Sequence, residues 1–443
     1  MADSKICLIG DIVVDVTLKN EREEVKLRLG GIVHAARGLW AMSIPFSVGY
    51  FAPTYLDEQI DQYLTNLGCQ DVIKLGDISG APYVFLIDDV KEVGDQGYEF
   101  LLRDEIKVSY DDQAINKIFN SNHEHYLLIS GNYQQEMLIN GLNGLIHIDV
   151  ANNIDNISFF SGLNKKLSTI FVSTSSSIFR EFFKNEFQSF CAIFEDFTSQ
   201  IILKENRGGS RGYDFNKKEK FSTSSQTVPI VHSVGVGDVF DACFVSNYLS
   251  LTGSNALTLS SWIACEYALT TFPDDFKTGV ERVLKSDLNQ LSGLRGVCLP
   301  WEDRTRINIY IAAPDFSFVD VKPIDKLVTS LRYHNFNPRR PILENGEMEQ
   351  NANKSRKQEL FKKDMMLLDQ CAILIAVLLY NDPGTLIEIG IAASKGMPTI
   401  VYDPYEIAEN CMLTELPSLV SFDLDKIVSE VFIASSKIGL NAN

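Results

Sequence analysis

The sequence predicts an α/β protein built as two domains, a doubly wound one with a β lid followed by a smaller parallel-sheet one, and three observations predict it. Ala372-Ile373-Leu374-Ile375-Ala376-Val377-Leu378-Leu379 is a continuous apolar run of the length of a strand buried on both faces. Gly-containing turns carrying carboxylates lead into helical patterns at Asn381-Asp382-Pro383-Gly384 and at Ser233-Val234-Gly235-Val236-Gly237-Asp238, the order of strand, turn and helix that builds βαβ units. The 443 residues are 45% apolar, enough chain for two or three cores. The domain boundary is expected within 292–306, where Gly293, Gly296, Pro300 and the charged run Glu302-Asp303-Arg304 cluster, which gives domains 1–300 and 305–435.

In the second domain the apolar run is followed by a helix expected over 386–395 and ended by Gly396, then by the strand Thr399-Ile400-Val401-Tyr402. The connecting turn lies at the carboxyl end of a strand, where open α/β sheets place ligands. It carries Asp382, and Glu388 follows at the expected start of the helix. Taken alone, a glutamate there would do no more than favour the helix dipole, worth a few tenths of a kcal/mol.

The whole segment Asp382-Pro383-Gly384-Thr385-Leu386-Ile387-Glu388-Ile389-Gly390 resembles the D-x-G-[ST]-x-x-E-[IL]-G signature of nucleoside 2-deoxyribosyltransferases, and the resemblance extends over about 306–412. It implies that Glu388 attacks the anomeric carbon of a nucleoside and that Asp382, beside Gly384, holds the sugar. Asp364, in Lys363-Asp364-Met365-Met366, would help to protonate the departing base. Ile309-Tyr310-Ile311-Ala312-Ala313-Pro314-Asp315-Phe316 resembles the family's first strand and loop, with Tyr310 and Phe316 at pocket positions. Asn410-Cys411-Met412 resembles its N-x-M segment, which implies that Asn410 and Met412 complete the site of a neighbouring subunit and that the protein is a homo-oligomer. The chemistry asks for the same parts: an N-glycosidic bond breaks through an oxocarbenium-like state, with one carboxylate at the anomeric carbon and an acid for the leaving base.

A separate chemistry is written upstream. Gly235-Val236-Gly237-Asp238 is a glycine turn running into a helix, whose amides can cradle a phosphate beside a carboxylate. It resembles the G-x-G-D signature of ribokinase-like (PfkB) sugar and nucleoside kinases. That resemblance implies Asp238 as the base for an acceptor hydroxyl, with Gly235, Val236 and Gly237 as an anion hole. The rest of the first 300 residues follows the family in order. Ile6-Cys7-Leu8-Ile9-Gly10-Asp11-Ile12-Val13-Val14-Asp15 resembles the opening strand, whose aspartates, here Asp11 and Asp15, contact substrate hydroxyls. Gly30-Gly31-Ile32-Val33-His34-Ala35-Ala36 resembles the GG-x-x-x-N-x-A helix start, placing Gly31 at the substrate, and Leu128-Ile129-Ser130-Gly131 with Ile148-Asp149 resembles central strands. Residues 81–102 alternate around Gly94 and Gly97 as a lid hairpin would.

The departures fall on one feature. His34 stands for the usual Asn, His232-Ser233-Val234 for D-T-T, and Lys204-Glu205-Asn206 for T-x-G, while Phe171-Val172-Ser173-Thr174-Ser175-Ser176-Ser177-Ile178 shows no N-x-x-E. All bear on ATP and Mg²⁺, the cofactors the resemblance implies for this half. Two readings stay open: an active kinase, or a module that binds a nucleoside or sugar and regulates or assembles the other half. No cofactor is expected for the glycosyl-transfer half.

A net charge of −18 is unfriendly to nucleic acid polymers, and small-molecule nucleosides, nucleotides or pentoses are the expected partners. No apolar segment approaches the ~20 residues of a membrane span, and Met1-Ala2-Asp3-Ser4-Lys5 leads directly into a strand, so a cytoplasmic protein is expected. Eight cysteines scattered without a C-x-x-C pair read as reduced thiols. His123-Glu124-His125 lacks the further ligands of a metal site, and none is expected. Arg339 and Arg340 read as solvated, with a 5′-phosphate of the substrate as the alternative. Residues 344–357 read as a mobile loop over the second site. The joint expectation is a bifunctional enzyme of nucleoside metabolism, whose two steps in either order lead to a free base and a pentose 5-phosphate.

Overall fold

The computed structural model describes residues 5–18, 25–80, 82–97, 99–101, 105–129, 131–151, 153–294, 296–348 and 351–441. The readings made of Met1-Ala2-Asp3-Ser4, of Ala81, Tyr98 and Leu102 in the lid, and of Ser130 lie outside these residues. By contacts the chain forms two compact units, Met1–Lys91 with Gln96–Gly296, and Glu92–Asp95 with Val297–Asn443.

The first unit is organised by a ten-stranded sheet. In spatial order its strands are Glu219–Thr223, Ser210–Asp214, Thr198–Lys204, Leu167–Ser173, Leu145–Asp149, His125–Ile129, Ile6–Asp11, Phe46–Ala52, Val72–Ser79 and Lys107–Tyr110. The interior pairs are parallel, and antiparallel strands close both edges. Residue choice follows position: Phe46–Ala52 is buried at every residue, as a strand covered on both faces must be, whereas the edge strand Glu219–Thr223 buries only Phe221. A second sheet pairs Lys26–Leu29, Val14–Thr17, Val84–Ile87 and Glu99–Phe100 in that order. The expected lid hairpin is therefore present as Val84–Ile87 against Glu99–Phe100, but as half of a four-stranded sheet joined through parallel pairing with Val14–Thr17.

Glycine is required where this unit turns into its first helix, Val33–Ala41. Gly31 has φ +63°, and a Cβ there would stand 2.2 Å from the Asp11 carbonyl oxygen. The helix packs through Gly38 against Val239 of the helix Val236–Ser246, so both phosphate-turn and acceptor-turn helices share one core.

The second unit is a five-stranded, wholly parallel sheet ordered Asn337–Arg339, Asn308–Ala312, Ile373–Val377, Thr399–Tyr402, Leu419–Ser421. In order along the chain this is 2-1-3-4-5, the flavodoxin-like winding, with its topological switch between the first and third strands. Side-chain alternation assigns the faces. Ile309, Ile311, Ile373 and Ile375 pack with Leu327 and Leu331 of the helix Lys322–Tyr333 and with Val428 and Val431 of the helix Leu424–Asn441. Tyr310, Ala312, Leu374 and Ala376 pack on the other face with Leu367 and Leu368 of the helix Lys354–Asp369 and with Ile389 and Ala392 of the helix Pro383–Ser394.

Three local expectations are corrected. The third strand is Ile373–Val377, shorter than the apolar run, because the chain turns toward Asp382 after the last sheet pairing. The helix starts at Pro383 rather than near 386, with Asp382 as its cap and proline in its first turn, where a missing N–H costs nothing. Residues 344–357 are not one loop: Pro341–Asn345 is helical and Lys354–Asp369 begins within the segment, with residues 349 and 350 outside the description.

Two candidate active sites

In the second unit the alternation of Asn308–Ala312 turns Tyr310 toward the helix Pro383–Ser394. Its hydroxyl donates to Glu388 Oε1 at 2.6 Å. Glu388 is the sixth residue of that helix rather than a residue of its first turn, so the dipole alone does not account for it. Burial is the largest influence on its carboxyl and raises it; the Tyr310 hydroxyl works the other way, the Asp364 and Asp382 carboxylates add to the rise, and the balance lies at about 7. Asp364, on the helix Lys354–Asp369, is also raised by burial, while Asn345 Nδ2, donating at 2.8 Å, opposes the rise. One carboxyl held by a phenol and a nearby second carboxyl that burial raises make an arrangement suited to nucleophile and general acid.

Asp382 is partly committed to the backbone. Its Oδ2 accepts from the Thr385 amide at 2.7 Å and from Thr385 Oγ1 at 3.0 Å, capping the helix that carries Glu388. Gly384, exposed in that first turn, leaves this cap room: a Cβ there would meet Asp382 Oδ2 at 3.0 Å. Tyr310, Asp364 and Asp382 are thus all within electrostatic reach of Glu388. The remaining predicted residues are not tied to them by any hydrogen bond or ring contact among the described residues. Phe316 stacks on Phe318, with centroids 5.4 Å apart and planes within 5°. Asn410 caps the helix Cys411–Glu415 by accepting from the Met412 amide at 2.9 Å, and the Met412 side chain is 67% exposed.

Arg339 and Arg340 correct the expectation of solvated side chains. Arg340 grips Asp315 with two bonds of 2.8 and 2.7 Å and Asp325 with a third of 2.6 Å, while Arg339 Nε donates to Glu344 at 2.7 Å. Their charges are satisfied within the protein, which leaves a 5′-phosphate little to recruit.

In the first unit Gly235 is left-handed, with φ +76°, and a Cβ on it would fall 2.2 Å from the His34 ring, so only glycine fits the turn. The Val236 amide is taken by the Ser233 carbonyl at 3.3 Å, a correction to its expected place in the anion hole. The amides of Gly235, Gly237 and Asp238 have no backbone acceptor among the described residues and face the start of the helix Val236–Ser246. Asp238 is pushed up to about 8, first by burial, then by Asp149 and Asp15, against the pull of Lys204.

Asp11 ends the strand Ile6–Asp11. Its Oδ2 accepts from the Asn132 amide at 2.9 Å and from the Tyr83 hydroxyl, its Oδ1 is buried without a hydrogen-bond partner, and burial raises its carboxyl to about 6. Asp15 accepts from His34 Nε2 at 3.0 Å. Gly31 shapes the turn into the helix Val33–Ala41 and lies against the Asp11 carbonyl.

Sequence reading did not single out the cluster beside Asp238. Lys204 Nζ lies 2.8 Å from Asp149 Oδ2 and 2.7 Å from Asp241 Oδ2, all three nearly inaccessible, and 3.3 Å from where a Cβ on Gly237 would stand. Burial is the largest influence on Asp149 and works against its charge, but Lys204 together with hydrogen bonds from Asp241 and the Ala151 amide holds that carboxyl below its usual range; burial and Asp149 drive Asp241 well above its own. Two signals were available: a lysine ending the apolar strand Thr198–Lys204, and Asp241 three residues after Asp238, hence on the same side of one helix.

Residues 309–417 match the family model of nucleoside 2-deoxyribosyltransferase, which bears out the resemblance read from Glu388 and its neighbours. Solved structures similar to the first part of the chain include kinases of the ribokinase family. Phosphofructokinase-2 from Escherichia coli, solved in complex with potassium, is 10% identical with a TM-score of 0.49, over 63% of this chain and 99% of that one. Ribokinase of Arabidopsis thaliana, solved with ribose and ATP, is 14% identical with a TM-score of 0.46, over 64% and 99%. A nucleoside kinase of Methanocaldococcus jannaschii is 14% identical with a TM-score of 0.43, over 64% and 99%. No curated protein matches the chain. Among the described residues no helix is long and apolar enough to cross a membrane.

The raised carboxyl of Glu388 carries a stability signature. A carboxyl at about 7 when folded and near 4.5 when unfolded costs stability progressively as pH rises through that window, and the cost is full above it. Glu388→Gln removes it, so the melting temperature of the variant should exceed that of the wild type at pH 8 and equal it at pH 4. A thermal scan at both pH values checks this; a lower melting temperature at pH 8 contradicts it.

Proposed function

We propose that the second unit cleaves or transfers the N-glycosidic bond of a (deoxy)nucleoside or its 5′-monophosphate, with Glu388 as nucleophile. The observation that carries this reading is the Tyr310–Glu388 hydrogen bond at the sheet's switch point, within residues that match the family model. The Glu388 carboxylate attacks the anomeric carbon, the C–N bonding pair leaves with the base, and Asp364 supplies the proton that neutralises it. Water or a second base then attacks the glycosyl ester and frees Glu388. Asp382, with Oδ2 in the helix cap, offers its other oxygen to a sugar hydroxyl. Tyr310 holds Glu388 in one orientation and favours its ionised form.

For the first unit we propose phosphorylation of a nucleoside or pentose by ATP. Asp238 accepts the hydroxyl proton, Asp11 and Asp15 hold the acceptor, and the amides of Gly235, Gly237 and Asp238 face the transferred phosphoryl group. The donor set does not suit Mg²⁺: Asp149 and Asp241, the acids beside the turn, already share the Lys204 ammonium. That observation favours the second reading, in which this unit binds a nucleoside or sugar without transferring phosphate. Under the first reading the two units together lead to a free base and a pentose 5-phosphate.

Assembly belongs to the same proposal. Phe361, Met366, Ile387 and Met412 are all more than 60% exposed on the second unit, and apolar side chains of this size suit a contact with another copy. The protein should sediment as a dimer or larger. An active monomer in a sedimentation-velocity run sinks this part.

Glu388→Ala should abolish base release from every nucleoside or nucleotide the wild type cleaves, while the circular dichroism spectrum stays unchanged. More than a few per cent of residual release takes the nucleophile role from Glu388. Tyr310→Phe removes a donor that favours the charged carboxylate, so the acid limb of kcat/KM, set near pH 7 by Glu388, should move to higher pH. A limb that stays in place or moves down means that the titrating group is not Glu388.

Asp238→Asn should lower phosphoryl transfer by a factor on the order of 10² to 10⁴, the usual worth of a positioned base, without weakening acceptor binding. Absence of transfer from ATP to any nucleoside or pentose in the wild type decides for the binding module.

A further inference from the structure

In the first unit, a pocket of about 480 Å³ opens beside Arg28, Arg37, Trp40, Tyr63, Tyr267 and Phe276. None of the residues predicted for catalysis or acceptor binding lines it. The pocket is unusual for a chain of net charge −18, because its lining holds two arginines and no carboxylate.

The deeper arginine is the telling one. Arg37 is 7% exposed, and every acceptor it meets is neutral: Tyr63 Oη at 2.8 Å from Nε, the Leu29 carbonyl at 2.9 Å from Nη2, and Tyr267 Oη and His34 Nδ1 at 3.3 and 3.1 Å from Nη1. No carboxylate lies within ion-pair distance of it among the described residues, and one Nη2 hydrogen is left over. A guanidinium taken out of water without a counter-charge is costly, and an anion in the adjoining cavity removes that cost. Arg28 stands at the rim, its Nε 3.7 Å from Asp15, with both Nη groups unengaged among the described residues.

The remaining walls are flat and apolar or carry neutral amides. Trp40, with Lys277 over its ring at 4.8 Å, adds a second face to that of Tyr63, and Tyr267 and Phe276 pack edge to face behind them. Gln59, Gln62 and Asn66 line the mouth from the helix Asp57–Asn66. Arg37 lies beside these rings, its Cζ 5.2 Å from the Tyr63 centroid, and arginines next to aromatic faces suit an oxyanion joined to a planar ring. The cavity is of nucleotide size.

We propose that this pocket is a binding site for an organic oxyanion bearing a planar aromatic or heteroaromatic ring, a nucleoside monophosphate being the class it fits. Its lining reaches His232, just ahead of the phosphate turn, but includes none of Gly235, Gly237 and Asp238. It is nonetheless connected to the acceptor residues, since Arg37 and Tyr267 both donate to His34 Nδ1 and His34 Nε2 donates to Asp15.

The test uses the full chain and AMP as the probe, with Trp40 fluorescence as the readout. Arg37 itself is too buried to replace safely, so the charge is changed at Gln62, which is exposed on its helix. AMP should change the fluorescence of the wild type, and the change should vanish in Trp40→Phe. Gln62→Glu should weaken AMP by about tenfold and Gln62→Lys should tighten it, because a charge on the lining of the pocket acts on an anion bound inside it. Adenosine, which lacks the anion, should bind at least tenfold more weakly than AMP. A wild-type signal that is absent, that survives in Trp40→Phe, that is equal for adenosine, or that is indifferent to the charge at position 62 overturns the proposal.

Discussion

The second unit turns on one hydrogen bond, from the Tyr310 hydroxyl to Glu388, because it joins the two elements that the sheet's winding separates. Tyr310 belongs to the first strand and Glu388 to the helix after the third, and only at the switch in strand order do such elements face one crevice. The bond also sets the chemistry. Burial alone would leave Glu388 protonated and inert at neutral pH, whereas a fully solvated carboxylate would be a poorer base and nucleophile. A phenol donor against the opposing pressure of burial and two neighbouring acids holds it near 7, where an ionised and weakly solvated carboxylate is well populated.

That bond depends in turn on strand register. Along Asn308–Ala312, Ile309 and Ile311 serve the core under Lys322–Tyr333, and Tyr310 and Ala312 serve the opposite face. A slip of one residue would bring an isoleucine to Glu388 and bury the phenol in the wrong core, so packing on both faces enforces the Tyr310–Glu388 geometry. The first unit handles its acids differently. There Lys204 is clamped between Asp149 and Asp241, which settles the charge of that cluster internally and leaves Asp238, one helical turn away, as the carboxyl most exposed to change. The same clamp makes metal-assisted transfer the weaker part of the kinase reading.

Much of this was written in local sequence. The apolar run around Ile373–Val377, the strand Thr399–Tyr402, the glycine turn at Gly235 and the carboxylates Glu388 and Asp238 all follow from patterns a few residues long. Most of what escaped reading was set by distant partners, the start of the helix after Asp382 being the local exception. Proline in a first turn moved the helix start from near 386 to Pro383, because the cap is decided by whether Asp382 can reach the Thr385 amide. Asn345, read as part of a loop, is the partner of Asp364 only because its own short helix folds back beside it. Lys204, Asp149 and Asp241 are far apart in sequence, and no spacing rule predicts that two strands and a helix will bring them together. Arg340 looked solvated because the acids that bind it, Asp315 and Asp325, precede it by 25 and 15 residues.

The central claim is that Glu388 forms a bond to the sugar. A 2-deoxy-2-fluoro nucleoside tests it directly, since the fluorine destabilises the oxocarbenium-like state and slows turnover of any glycosyl ester. Intact-protein mass spectrometry should show the added fluorosugar mass, and peptide mapping should place it on the segment carrying Glu388, with no adduct in Glu388→Gln. Cleavage of natural nucleosides by an enzyme that never forms this adduct, or an adduct on another residue, would contradict the account.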